Sequence, residues 1–203
     1  VAENFTRHAA SVCMMSEVAG ADLFPVDIGM AVDVAGLTKP EYKVACGTRN
    51  MAREPAMTRS QAEQAVLTGI RLAGELSEQG YDILATGEMG IGNTTTSSAV
   101  ASVLLDCDPE KVTGRGAGLS DQGLRRKTET IRRAIRLHQP GREDVLDVLS
   151  KVGGLDIAGL AGVFLGGAIY HIPVVVDGFI SSVGALCAAQ IAPDAADYML
   201  PSH

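Results

Sequence analysis

The feature that most constrains the fold is a junction used more than once along the sequence. The short apolar run Asp82-Ile83-Leu84-Ala85-Thr86 passes directly into Gly87-Glu88-Met89-Gly90-Ile91-Gly92-Asn93, then into a small-sided helical segment, Thr94 to Leu105. Val174-Val175-Val176 likewise passes into Asp177-Gly178 and a helical segment from Phe179. Phe24 to Ile28 reads as a third short strand, ending in Asp27 and Gly29. Strand, glycine turn and helix in this rhythm predict an α/β domain with a parallel sheet. In such sheets ligands bind beyond the carboxyl ends of the strands, where these glycines and acids fall.

Helical patterning fills the intervals. Asn4 to Ala19 carries apolar residues at helical spacing. Thr58 and Gln61 form a capping box ahead of Ala62, Ala65, Val66, Ile70, Ala73 and Leu76, and Gly80 stands where a helix-ending glycine belongs. Further helices are predicted for Ser120–Leu137, Glu143–Val152 and Asp156–Tyr170, and the helix from Phe179 ends at Ala192-Pro193. Met30 to Ala56 has little periodicity and reads as a long excursion. The chain is 203 residues with 23 glycines and no tryptophan, so small side chains rather than rings must close the core. One domain over residues 1–203 is expected from that length.

Several classes are disfavoured. Seventeen basic against 24 acidic residues give a net charge of −7, which speaks against a nucleic-acid binder. The cysteines Cys13, Cys46, Cys107 and Cys187 form no CxxC pair, and the histidines show no HxH or HExxH spacing. Free thiols in a reducing cytoplasm, with no metal site, are expected. Val1–Gly20 carries Glu3, Arg7 and Glu17 through its apolar positions, unlike a secretory leader. Ile157 to Val176 lacks Asp, Glu, Lys and Arg, and holds a GxxxG step at Gly162 and Gly166. Pro173 interrupts it, however, so a close-packed helix, a turn and a buried strand are expected rather than a membrane span.

The loops suggest an anion site. Glycines at 90, 92, 114, 116 and 118 let main-chain N–H groups face a phosphate, and the helix after Asn93 turns its positive end the same way. Yet Gly90-Ile91-Gly92-Asn93-Thr94-Thr95 has threonine where a dinucleotide fingerprint needs its third glycine, and no GK[ST] occurs. Tight strand-to-helix turns alone would also use glycine there. On the helix after Ser120, Leu124, Thr128, Ile131 and Ile135 form the apolar stripe. Its five arginines face away and read as solvated charge, whereas Lys127 lies beside the buried face, placed to turn inward.

Glu88-Met89-Gly90-Ile91-Gly92-Asn93-Thr94-Thr95 resembles the signature of the nicotinate-nucleotide–dimethylbenzimidazole phosphoribosyltransferases. The likeness continues through Arg132-Arg133-Ala134-Ile135, Asp147 to Gly154, Asp177-Gly178-Phe179 and Gln190-Ile191-Ala192-Pro193, covering essentially the whole chain. The resemblance implies a Rossmann-like parallel sheet with helices on both faces, a cytoplasmic homodimer, and no cofactor. It implies phosphoribosyl transfer from nicotinate mononucleotide to 5,6-dimethylbenzimidazole, giving α-ribazole 5′-phosphate and nicotinate, a step in building the lower ligand of cobalamin. Gly90, Gly92 and Gly116 would then present N–H groups to the 5′-phosphate, with Lys127 supplying charge, and Asn93, Thr94 and Gly114 would also bind substrate. Glu88 and Asp177 would hold ribose hydroxyls or stabilise oxocarbenium character, Gly178 would also bind substrate, and Glu88 is the catalytic candidate inside the chain. The family's general-base glutamate lies beyond Pro201-Ser202-His203, and much of its base pocket lies upstream of Val1. A nucleotide-binding core, inactive alone, is therefore expected, with a non-catalytic nucleotide-binding or dimerisation module as the alternative.

Overall fold

The computed structural model describes all 203 residues, Val1–His203, and the chain separates into two compact units, Val1–Gly47 and Thr48–His203.

In the first unit, helix α1 (Ala2–Thr6) and helix α2 (Ser11–Ala19) replace the single helix predicted for Asn4–Ala19. The break falls at His8, which adopts a left-handed φ of 52° while Ala9 N–H donates to Asn4 O at 2.8 Å. A histidine rather than a glycine takes that position, so the apolar spacing ran through the reversal unmarked. Gly20, at φ 65°, ends α2, with Ala21 N–H donating to Ser16 O at 2.9 Å.

The strand expected at Phe24–Ile28 does not form; the segment pairs with no other strand. Side chains stitch it instead. Asp27, only 2% exposed, accepts hydrogen bonds from Met30 N–H (2.7 Å), Thr38 Oγ1 (2.6 Å) and Lys43 Nζ (2.8 Å). Lys43 also reaches Asp33 at 2.7 Å. Burial pushes the Asp27 carboxyl up, but these donors outweigh it and hold the group below its ordinary value.

The second unit begins with helix α3 (Arg59–Glu78), whose capping box closes as read: Gln61 N–H donates to Thr58 Oγ1, and Thr58 N–H to the Gln61 side chain. There follow strand β1 (Leu84–Ala85), helix α4 (Thr94–Leu104), the short helix α5 (Pro109–Val112) and helix α6 (Asp121–His138). Helix α7 (Val145–Val152), helix α8 (Leu155–Tyr170), strand β2 (Val174–Val176) and helix α9 (Gly178–Ile191) come next. A 3-10 turn over Pro193–Tyr198 leads to strand β3 (Met199–Pro201). The strands lie parallel in the order β1-β2-β3, with Leu84 opposite Val174 and Val174 opposite Met199. Helices join them, so the fold is the expected α/β arrangement with a parallel sheet.

The charge-free run is spent on helix packing. Gly162 of α8 lies so close to α3 that a Cβ there would stand 2.0 Å from Val66 O, and one at Gly69 would stand 2.0 Å from Gly159 O. The GxxxG step therefore brings two buried helices into backbone contact. No helix is long and apolar enough to cross a membrane. Ala62, Ala65, Ala73, Ala158, Ala161 and Phe164 are fully buried around this seam.

Candidate functional site

The site is built at the carboxyl ends of β1 and β2. Thr86 leaves β1 with both its N–H (3.1 Å) and its hydroxyl (2.9 Å) on Val175 O, which fixes where the Gly87–Asn93 turn departs. Asn93 then opens α4. The helix forms despite its Thr/Ser-rich start because the hydroxyls bond back to preceding carbonyls: Thr96 and Ser97 to Asn93 O at 2.9 Å, and Ser98 to Thr94 O at 2.9 Å. At the end of β2, Asp177 precedes α9, and Ser202 beyond β3 donates its hydroxyl to Asp177 Oδ1 at 3.2 Å. A cleft of about 170 Å³ lies between these ends, lined by Glu88, Thr94, Asp177, Gly178, Phe179 and Ile180.

A second cluster adjoins through Thr94. Lys127, 7% exposed, turns inward and donates to Thr94 Oγ1 at 2.8 Å and to Gly114 O at 3.0 Å. A Cβ on Gly116 would meet Thr94 Oγ1 at 3.0 Å and Lys127 Nζ at 3.7 Å, so the second glycine loop lies against the same ammonium. The buried face of α6 runs through Gly123, Lys127, Thr128, Ile131 and Ala134. Lys127 thus sits within that face, not at its edge. Both partners of the ammonium are neutral oxygens, and burial lowers its pKa from the ordinary lysine value.

The structure thus brings Glu88, Thr94, Asp177 and Gly178 around one cleft, and Thr94, Gly114, Gly116 and Lys127 around one cation. Gly90 differs from the expectation of a free main-chain donor, because its N–H donates to the Glu88 carboxylate. Any anion taking that N–H must first displace Glu88. Gly92 turns through a φ of 81° with open space where a Cβ would point. Asp27, read as a third strand-end acid, belongs instead to the Val1–Gly47 unit, where Lys43 and Thr38 hold it.

Two features escaped the sequence reading. Asn93 donates its side-chain N–H to Asp156 Oδ2 at 2.6 Å, a contact spanning 63 residues. Burial raises the Asp156 pKa above its ordinary value; the Asn93 bond opposes this and the Glu88 charge adds to it. The only signal was an acid in the first turn of α8, directly after Gly153-Gly154 and before the uncharged run. Secondly, Arg132 is only partly exposed and is held by acids rather than left free in solvent. It grips Asp108 through Nη2 (2.7 Å) and Nε (3.2 Å), and Glu129 through Nη1 (2.7 Å), tying α6 to the cap of α5.

Residues 1–203 match the model of a family described as Phosphoribosyltransferase. The chain is similar to the nicotinate-nucleotide–dimethylbenzimidazole phosphoribosyltransferase of Clostridium tetani, 45% identical over all of this chain and 56% of the relative. Its counterpart from Chloroflexus aggregans is 49% identical over 98% of this chain and 57% of the relative. Among solved structures, CobT from Thermus thermophilus superimposes with a TM-score of 0.91 at 38% identity, over 100% of this chain and 61% of that one. The chain spans little more than half the length of the curated relatives it matches.

Proposed function

The chain belongs to the phosphoribosyltransferase family, and from that premise we propose that its Thr48–His203 unit binds nicotinate mononucleotide for transfer of the phosphoribosyl group to 5,6-dimethylbenzimidazole. In that reaction the bond from C1′ to the nicotinate nitrogen breaks, and nicotinate leaves with the bonding pair. A benzimidazole nitrogen attacks C1′ from the opposite face, giving α-ribazole 5′-phosphate, and its N–H proton passes to a base.

The observation that carries this reading is Lys127. A buried ammonium held by two neutral oxygens is short of an anion, and a phosphate supplies one. Gly114, whose carbonyl meets Lys127, has open space where a Cβ would point, as do Gly90 and Gly92 in the turn after β1. With the phosphate near Lys127, the ribose would extend toward the cleft carboxylates Glu88 and Asp177. Negative charge there stabilises the cationic character that C1′ gains as nicotinate departs.

The reading includes action as a homodimer in the cytoplasm. Four free cysteines suit a reducing compartment, and α2 exposes Val12, Met15 and Val18, a surface that a second copy would cover. The substrate assignment is tested by titrating this chain calorimetrically with nicotinate mononucleotide and, separately, with nicotinate riboside. The nucleotide should bind at least about 10-fold more tightly, the share expected of charge-assisted phosphate bonds. Equal affinities would contradict it.

A further inference from the structure

The Asn93 side chain is nine-tenths buried, and its two polar atoms are treated very differently. Nδ2 donates to Asp156 Oδ2 at 2.6 Å, whereas Oδ1 is buried with no hydrogen-bond partner. A buried acceptor left unpaired is costly, and a rotated amide would present that oxygen to the carboxylate instead. Asp156 as an acceptor therefore dictates which way the amide faces. Gly154 lies against it: a Cβ there would stand 2.3 Å from Asp156 Oδ1, so a side chain at 154 would push the carboxylate from its present place. Asn93 also closes the turn that carries Gly90 and Gly92, and its main-chain carbonyl receives the first bonds of α4.

We propose that Asp156 is a positioning residue of the nucleotide site: by accepting the Asn93 amide N–H it locks the Gly90–Asn93 turn and keeps Asn93 Oδ1 as an acceptor for a donor group, a ribose hydroxyl or a water bound with it. The inference rests on the nucleotide reading above. It adds a residue on α8 that acts through Asn93 rather than by touching substrate. The neighbouring Glu88 charge and the burial of Asp156 both press toward its neutral form, and the short Asn93 bond opposes them.

The test compares Asp156→Leu, Asp156→Asn, Asn93→Asp and the exchange Asn93→Asp/Asp156→Asn, each titrated with nicotinate mononucleotide. Asp156→Leu removes the acceptor and should weaken binding at least about 10-fold, whereas Asp156→Asn keeps an accepting oxygen and should stay within about 3-fold. Asn93→Asp sets two carboxylates face to face and should weaken binding by at least about 10-fold, and the exchange should recover most of it by restoring one donor and one acceptor. A folded Asp156→Leu with unchanged affinity would overturn the proposal, as would an exchange no better than Asn93→Asp alone. Should Asp156→Leu fail to fold, the exchange series decides. A nuclear magnetic resonance readout without nucleotide separates this proposal from the substrate assignment. The Asn93 side-chain amide protons should exchange slowly in the parent and in Asp156→Asn, and the Gly90 and Gly92 amides should keep their positions in both. Fast exchange of the Asn93 amide in the parent would sink the positioning role even if the nucleotide binds. Slow exchange with no nucleotide binding would sink only the substrate assignment.

Discussion

Each of the two units of the chain draws one lysine largely out of solvent, Lys43 with 10% of its side chain exposed and Lys127 buried, and they are held on opposite terms. In Val1–Gly47, Lys43 lies between two carboxylates, Asp27 at 2.8 Å and Asp33 at 2.7 Å. Burial lowers its pKa, but the bonds from those acids outweigh it and hold the group above its ordinary value. In Thr48–His203, Lys127 has only a hydroxyl and a carbonyl, and burial leaves it below the ordinary lysine value. A neutralised buried charge is a structural staple, whereas one without a counter-charge is a place kept for a ligand. On the nucleotide reading proposed above, the contrast separates a lysine that staples the first unit from one that would meet the substrate phosphate.

The largest effect expected is on Lys43→Met. It strands the buried Asp27 carboxylate and should cost about 3–5 kcal/mol of stability in denaturant titration of the first unit. A loss under about 1 kcal/mol would mean the pair is not a staple. Lys127→Met should do the reverse. The nucleotide-over-riboside preference should fall by about 1.5–3 kcal/mol in calorimetry, the size of a charge-assisted bond. Stability should not fall, because the variant removes a charge that folding desolvates. A Lys127→Met protein that melts early yet keeps the preference would reverse the two assignments.

Acid sharpens the comparison further. The Asp27 carboxyl is depressed in the folded state, so its stabilisation is fully present above the unfolded value of 3.8 and is lost as pH falls through the lower folded value. Denaturation curves should show the first unit weakening below pH 3.8, and Asp27→Asn should flatten that dependence. The smallest effect belongs to Gly116→Ala. The added methyl meets Thr94 Oγ1 at 3.0 Å at a φ of 56°, so a loss of about 1 kcal/mol in stability is expected, together with weaker nucleotide binding. Unchanged binding would show that the second glycine loop takes no part.

Where the information was local, the sequence disclosed it. The Thr58/Gln61 capping box, the Val174–Val176 strand and the inward turn of Lys127 all follow from residues within a few positions of one another. What depended on distant partners was hidden. Phe24–Ile28 is as apolar as a strand, but Asp27 finds Thr38 and Lys43 before any neighbouring strand. Strand β3 ends in Pro201 at the sheet edge and lacks β-branched residues, so neither composition nor alternation marked it. The pairing of Asp156 with Asn93 joins the starts of two helices far apart in the chain, which no periodicity encodes. Candidate residues were thus legible one at a time, while the bonds between them, such as Glu88 on the Gly90 N–H, needed the fold.

The most direct test of the central claim is to follow the ionisation of both lysine side chains by nuclear magnetic resonance, as the chain is titrated with nicotinate mononucleotide and then with nicotinate riboside. Without ligand, Lys127 should titrate below the ordinary lysine value and Lys43 above it, as their surroundings dictate. Binding of the nucleotide should raise the Lys127 pKa, because the phosphate brings the counter-charge it lacks, and leave Lys43 where it was. The riboside should move neither. A Lys127 pKa that stays fixed while the nucleotide binds, or that shifts equally with the riboside, would contradict the assignment of this lysine to the phosphate.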